Sequence, residues 1–283
     1  MIESDIDAPG GRRIHLYDSG RVGGSGVIYW QHGAGMSGLP PLPFVHRARD
    51  LGIRVVSHDR PGYGRSAPQS GRSVADGARD ATSVLDALEI ESAATLGLSA
   101  GAMHALAAVA VNPLRFTAAA VLGGPAPYGA VGLDWFAGMS AANRAEFEAG
   151  LAGAEPLRSH LSATTEVDLG MFAAADLEAM HGPYWQWQLD AAAATSTEGT
   201  IDDELACLAD WRFRLDQITA PVLIMHGADD TFVPATHARW VAGAIPTSTL
   251  RIEPGGHIST IPLVEESLPW LLASGPRLGL SRR

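Results

Sequence analysis

Apolar positions along the chain follow two periods. Short apolar or β-branched runs at residues 27–31 (VIYWQ), 53–57 (IRVVS), 94–98 (ATLGL), 118–122 (AAAVL) and 222–227 (VLIMHG) predict buried strands. Residues 249–252 predict another, and the weak alternation over 12–18 predicts an outer strand. Between them the pattern turns helical. Residues 44–51 form a candidate helix that Gly52 stops. Ser73, with Asp76 three residues on, opens a longer one carrying Val84, Leu85 and Leu88 at helical spacing. An Ala-rich helix over 100–111 ends before Pro113, and further helices are expected over 235–244 and 263–272. Residues 20–26 and 59–66 (DRPGYGRS) have the composition of turns. Strands alternating with helices imply parallel strands covered on both faces.

One interval breaks the alternation. About a hundred residues separate Leu122 from Pro221, where a strand-to-strand crossover needs only about 30. The excess holds helical patterns at 140–151 and 202–213, no convincing strand, and four of the seven tryptophans (Trp135, Trp185, Trp187, Trp211). It reads as a helical cap over residues 125–215, inserted into an α/β core made of residues 1–124 and 216–283. If the cap roofs a cleft, some of its aromatic residues face that cleft.

Composition narrows the function classes. At 46% hydrophobic and 18% charged residues, a 283-residue chain can bury a large core, which excludes wholesale disorder. The net charge of −11 and the lack of any Lys/Arg run disfavour nucleic acid as a partner. No apolar run approaches a membrane span of about 20 residues, and the acidic start MIESDIDAPGG predicts no secretory signal. A single cysteine, Cys207, fits a reducing, cytoplasmic setting, and the absence of further Cys or paired His disfavours a metal finger. Neither metal nor organic cofactor is expected. The partner is expected to be a small-molecule substrate, and oligomeric state is not legible.

Residues 97–101 (GLSAG) match G-x-S-x-G between a predicted strand and a predicted helix, the context the motif requires. A serine on such a turn presents its hydroxyl at a helix N-terminus. The glycines let strand and helix approach, and the Ala100 N–H points at a developing oxyanion. Taken alone, the motif is also a small-residue turn before a helix. It gains weight from its companions. His32-Gly33-Ala34-Gly35 follows a strand, and the Ala34 N–H is the candidate second oxyanion donor. Asp230, in GADDTFVP, and His257, in PGGHIS, each follow a strand, where open α/β sheets place their sites. The order Ser99, Asp230, His257 is that of one known nucleophile–acid–base arrangement. Of the other ionisable residues, His32 and His226 read as braces of their loops, His104 as packed or solvent-facing, and Asp59 and Arg60 as structural. Asp229 competes with Asp230.

Residues 33–38 (GAGMSG) also imitate a dinucleotide-binding fingerprint, with Asp59 some 20 residues on. That site needs a helix opening in the glycine turn, and residues 39–43 (LPPLP) cannot open one there.

Taken together, HGAG, DRPGYGRS, GLSAGA, HGADDTFVP and GGH resemble a capped α/β-hydrolase over nearly the whole chain outside the cap. The resemblance implies a mostly parallel central sheet flanked by helices, with an inserted helical cap. It favours Asp230 as the acid and implies a serine hydrolase of carboxylesterase type (EC 3.1) acting through an acyl-enzyme on a small, apolar substrate. C–C bond hydrolysis, lactone opening and perhydrolysis are the alternatives on the same fold. Dehalogenase and epoxide-hydrolase chemistry use aspartate where this chain has Ser99. A binding protein or receptor that retains the triad is the alternative outside enzymes.

Overall fold

The computed structural model describes residues 1–24, 26–163 and 168–274. Ser25 of the expected turn, residues 164–167 of the expected cap and residues 275–283 of the expected core lie outside the described residues. One sheet contains eight strands: β1 (Ile2–Asp7), β2 (Arg13–Asp18), β3 (Gly26–Gln31), β4 (Ile53–His58), β5 (Ala93–Leu98), β6 (Phe116–Leu122), β7 (Val222–Gly227) and β8 (Ser248–Glu253). Their order is β1-β2-β4-β3-β5-β6-β7-β8. β2 pairs antiparallel with β1 and β4, and every other pairing is parallel.

The alternation of strand and helix therefore predicts the architecture correctly, and its physical basis is visible in β3. Ile28 and Trp30 enter one apolar layer while Tyr29 enters the other. Both faces of the inner strands are dry, which explains why β5 and β7 read as continuous apolar runs. Helices Val74–Ala87, Ala100–Val111 and Ala235–Ala244 cover one face. Leu42–Asp50, Leu263–Glu266 and Leu268–Ser274 cover the other.

Three local differences have physical causes, and one expectation about the glycine turn is met. β1 escapes the apolar pattern because it is an acidic edge strand (IESDID) with mostly exposed side chains. The closing helix is two helices, Leu263–Glu266 and Leu268–Ser274, because Pro269 lacks the N–H that would continue the ladder. The helix expected over 202–213 is Thr197–Leu208, starting from Ser196 in extended conformation and ending before Trp211. Helix Leu42–Asp50 opens beyond the glycines of 33–38 rather than within them.

Between β6 and β7 the elements among the described residues are helical: Ala141–Leu151, Ala154–Ala163, the short turn Leu169–Met171, Ala174–Ala179, Pro183–Ala193, Thr197–Leu208 and the short turn Leu215–Gln217. No helix among the described residues is long and apolar enough to cross a membrane.

Candidate active site

Ser99 sits between β5 and helix Ala100–Val111 with φ 53° and ψ −125°. For a non-glycine residue this is a strained conformation, worth about 1–3 kcal/mol, that the surroundings must hold. They do so by close packing. A methyl group on Gly97 would overlap the Gly101 carbonyl, and one on Gly101 would overlap the Gln31 carbonyl. The two glycines bring three backbone segments together, so the serine turn cannot relax. Ala100 begins the helix, so its N–H has no acceptor within the helix.

Ser99, Ala100, Ala34 and His257 line one cavity of about 430 Å³. His257 follows β8 on the loop that contains Gly255 and Gly256, and its Nδ1 lies 2.7 Å from Asp230 Oδ2. Asp230 is 4% exposed, whereas Asp229 is exposed. Asp230 Oδ1 accepts the N–H groups of Phe232 and Val233, both at 2.9 Å. Burial would raise the Asp230 pKa, but His257 and His226 outweigh it and hold the carboxyl well below its usual range. Burial would likewise lower His257, but the Asp230 carboxylate prevails and raises it, with a smaller push from Asp176. The Phe232 ring stacks on the imidazole, with centroids 5.0 Å apart and planes 16° from parallel. The structure thus joins Asp230 to His257 by a hydrogen bond and brings Ser99 to the same cavity wall. The Ser99 hydroxyl makes no hydrogen bond among the described residues.

Of the other histidines weighed in the sequence, His32 and His104 bond outside the Asp230–His257 pair and His226 touches it. His32 Nδ1 donates to the Gly33 carbonyl (2.7 Å), since its Nε2 accepts the Arg60 N–H (3.2 Å). His226 Nε2 lies 2.6 Å from the Val233 carbonyl and 3.3 Å from Asp230 Oδ2, so it braces the acid as well as its loop. His104 is buried, which pushes its pKa down to about 4, and its Nε2 lies 3.2 Å from Asp203.

Several residues around the site went unsingled in the sequence. Asp176, on helix Ala174–Ala179, accepts the N–H groups of His257 (3.1 Å), Ile258 (3.0 Å) and Ser259 (2.8 Å). It therefore fixes the loop that presents the imidazole. Asp203, on helix Thr197–Leu208, is fully buried and pairs with Arg60 and Arg72, each at 2.5 Å. It also accepts the Tyr63 hydroxyl at 2.9 Å. Arg60 Nη1 donates to the His32 carbonyl (2.6 Å), and Nη2, which also meets Asp203, donates to the Gly33 carbonyl (3.1 Å), both on the residues just before Ala34. The DRPGYGRS motif thereby acquires its meaning. Asp59 receives the N–H groups of Gly38 and Arg65, Arg60 joins two loops, and the Tyr63 ring packs where a side chain on Gly199 would overlap it. Nothing local marked Asp203, which stands between Asp202 and Glu204 on its helix.

None of the four tryptophans between β6 and β7 lines the cavity. The aromatic residues there are Phe147 and Phe232. Trp187 instead packs edge-on to Trp30 and donates to the Leu39 carbonyl, and Trp211 donates to the Cys207 carbonyl. The indole N–H groups of Trp135, Trp187 and Trp211 each find a carbonyl, and the Trp187 bond ties the inserted segment to the core.

A family model described as alpha/beta hydrolase fold matches residues 26–262. The chain is 28% identical over 257 residues to a 2-hydroxy-6-oxononadienedioate/2-hydroxy-6-oxononatrienedioate hydrolase of Cupriavidus pinatubonensis, across 85% of this chain and 82% of that relative. It is 31% identical over 230 residues to a non-heme chloroperoxidase of Streptomyces lividans, across 75% and 79%. Its structure is similar to that of a bromoperoxidase from Bacillus anthracis, with a TM-score of 0.73 at 23% identity, covering 96% of this chain and 100% of that one.

Proposed function

The chain belongs to the α/β-hydrolase family, and from that premise we propose that it is a serine hydrolase that cleaves an ester of a small acyl group. Ser99 is the nucleophile, His257 the general base and Asp230 the acid that orients it. Residues 125–215 form the cap over the cavity. The observation that carries this reading is the Asp230–His257 bond. With Nδ1 held at 2.7 Å from the carboxylate, Nε2 is the nitrogen left to work on the cavity wall shared with the strained Ser99.

In the reaction His257 Nε2 takes the Ser99 proton as Oγ attacks the ester carbonyl. The N–H groups of Ala34 and Ala100 stabilise the oxyanion, and losing one such donor typically costs about 3 to 4 kcal/mol. The imidazolium then protonates the departing alcohol. Water, deprotonated by the same nitrogen, releases the acid from Ser99. Catalytic hydrogen bonds commonly tighten only when substrate binds.

The name of the Cupriavidus relative supports C–C bond hydrolysis as a second reading. That name specifies a dioate, a dianion. Among the described residues lining the cavity here there is no lysine or arginine to meet a carboxylate, which favours the ester reading. Lactone opening and perhydrolysis use the same machinery, and a substrate panel separates them.

The test is fluorophosphonate labelling with a short p-nitrophenyl ester assay. Wild type is expected to label and to hydrolyse the ester. Ser99→Ala is expected to do neither, with activity down by at least about 10⁴-fold. Labelling that persists in Ser99→Ala refutes the assignment.

A further inference from the structure

The proposed mechanism leaves one part of the cavity unused. Glu204, on helix Thr197–Leu208, and Glu146, on helix Ala141–Leu151, both line the cavity that holds Ser99 and His257. Glu204 is only 5% exposed, yet its Oε2 has no hydrogen-bond partner. Gln188, from helix Pro183–Ala193, lines the same cavity with its buried Oε1 also unpartnered. Asn143 lies one turn before Glu146 and joins the wall. Buried polar oxygens are normally satisfied, so two unpartnered ones on residues of the cavity wall leave unused acceptor capacity beside it.

The charges around these oxygens are uneven. Asp203 also reaches the wall, but Arg60 and Arg72 take up its charge. No arginine or lysine among the described residues faces Glu146 or Glu204 across the cavity. Burial, with the Glu146 carboxyl beside it, pushes Glu204 far above the usual carboxylate range. The two carboxyls thus stand side by side in the cavity wall with no cation between them.

Building on the reading of Ser99 as nucleophile, we propose that Asn143, Glu146, Gln188 and Glu204 form an acceptor subsite for a hydrogen-bond-donating, non-anionic group of the substrate, a hydroxyl or an ammonium. The subsite fixes the part of the acyl chain away from the scissile bond. It rejects a carboxylate there, because an anion would be desolvated against a carboxyl pair with no cation to meet it.

The test uses four p-nitrophenyl esters of one chain length, ending in methyl, hydroxyl, ammonium or carboxylate. Wild type is expected to show kcat/KM for the hydroxyl or ammonium ester at least about tenfold above the carboxylate ester and above the methyl ester. The higher of the two donor esters tells which donor fits. Glu204→Gln and Glu146→Gln are each expected to compress the donor-to-carboxylate ratio by about tenfold. The ratio is read within each protein, so a loss of folded enzyme cancels. Equal rates across the series in wild type, or a ratio unmoved in both variants, overturn the subsite. If no ester is hydrolysed, the serine-hydrolase reading fails, and calorimetry of the matching amides on wild type decides the subsite. There, tighter binding of a hydroxyl or ammonium amide than of the carboxylate amide supports it, and equal binding overturns it.

Discussion

Replacing Asp203 by asparagine removes the one negative charge that Arg60 and Arg72 share. Both guanidinium groups are buried, Arg60 completely. With His104 held neutral by burial at neutral pH, the cluster carries two positive charges and one negative. The variant leaves two positive charges facing an amide. Arg60 keeps its two carbonyl acceptors, but Arg72 is left with only a long bond of 3.4 Å to the Gly199 carbonyl, and its Nε and Nη1 are already unpartnered. Breaking a buried pair by removing one partner costs about 3–5 kcal/mol, and the poor alternatives for Arg72 place this site in the upper half of that range. A loss of that size lowers the melting temperature of a chain this long by roughly 10 °C.

The same substitution reaches the chemistry. Arg60 fixes the His32 and Gly33 carbonyls, so loosening it frees the Ala34 N–H from the position proposed for the oxyanion. A displacement of about 1 Å costs about 10²-fold in rate. Thermal unfolding and kcat/KM per folded molecule measure the two effects separately. Asp203 is held well below its ordinary pKa, because Arg60 and Arg72 outweigh the desolvation that would raise it. Its contribution to stability is therefore complete above the unfolded carboxylate pKa of about 3.9 and fades as pH falls below that. The variant should lose less stability than wild type on acidification from pH 5 to pH 3. A melting temperature within about 2 °C of wild type would refute the argument that this cluster is held by its central charge. Reduced stability with unchanged kcat/KM would refute the link to the oxyanion loop.

Three other outcomes follow from the same geometry. The raised pKa of His257 places the acid limb of kcat/KM at a pH above the ordinary histidine value of about 6.5, since the base must be neutral to accept the Ser99 proton. A limb at or below that value in a pH–rate profile contradicts the Asp230 pairing. Asp176→Asn removes an anion that favours the imidazolium, so the limb should move to lower pH while kcat/KM on its plateau falls about tenfold from a looser His257 loop. A purely structural Asp176 would leave the limb where it is. Gly101→Ala pushes a methyl into the Gln31 carbonyl; overpacking of this kind costs about 1–3 kcal/mol, and chemical denaturation showing no loss would contradict the close packing assigned to the serine turn.

The sequence was informative where chemistry is local. The period of apolar residues is set by the backbone, so β3 to β8 and the helices around them could be read from neighbouring positions alone. Ser73 with Asp76 marked a helix start, and the Ser73 N–H does donate to Asp76 at 2.7 Å. β1 carries almost no burial signal because an edge strand buries little, and the helix at Thr197–Leu208 was misplaced because its charged first turn looks like solvent-facing loop. The positions of Ser99, Asp230 and His257 could be proposed because each stands beside glycines or a strand end that betrays the turn. Their approach to one another depends on sheet order, which no short window contains.

The residues that hold those loops were illegible for a related reason. Asp176 lies 81 positions before His257 in the chain, and Asp203 lies 143 positions after Arg60. Each is an acidic side chain on a helix that looks amphipathic and solvent-facing in isolation, and each becomes a buried acceptor only when that helix docks. The inserted segment therefore braces the loops of the candidate site. Through Asp176 it holds the loop of the proposed base, and through Asp203 and Arg60 it holds the loop of the proposed oxyanion donor. If helices Ala174–Ala179 and Thr197–Leu208 swung away as a rigid lid, four accepted bonds at Asp176 and both guanidinium pairs at Asp203 would have to break together. Such a motion would break both anchors at once, so an opening that keeps them is confined to the parts of the segment that neither aspartate ties down.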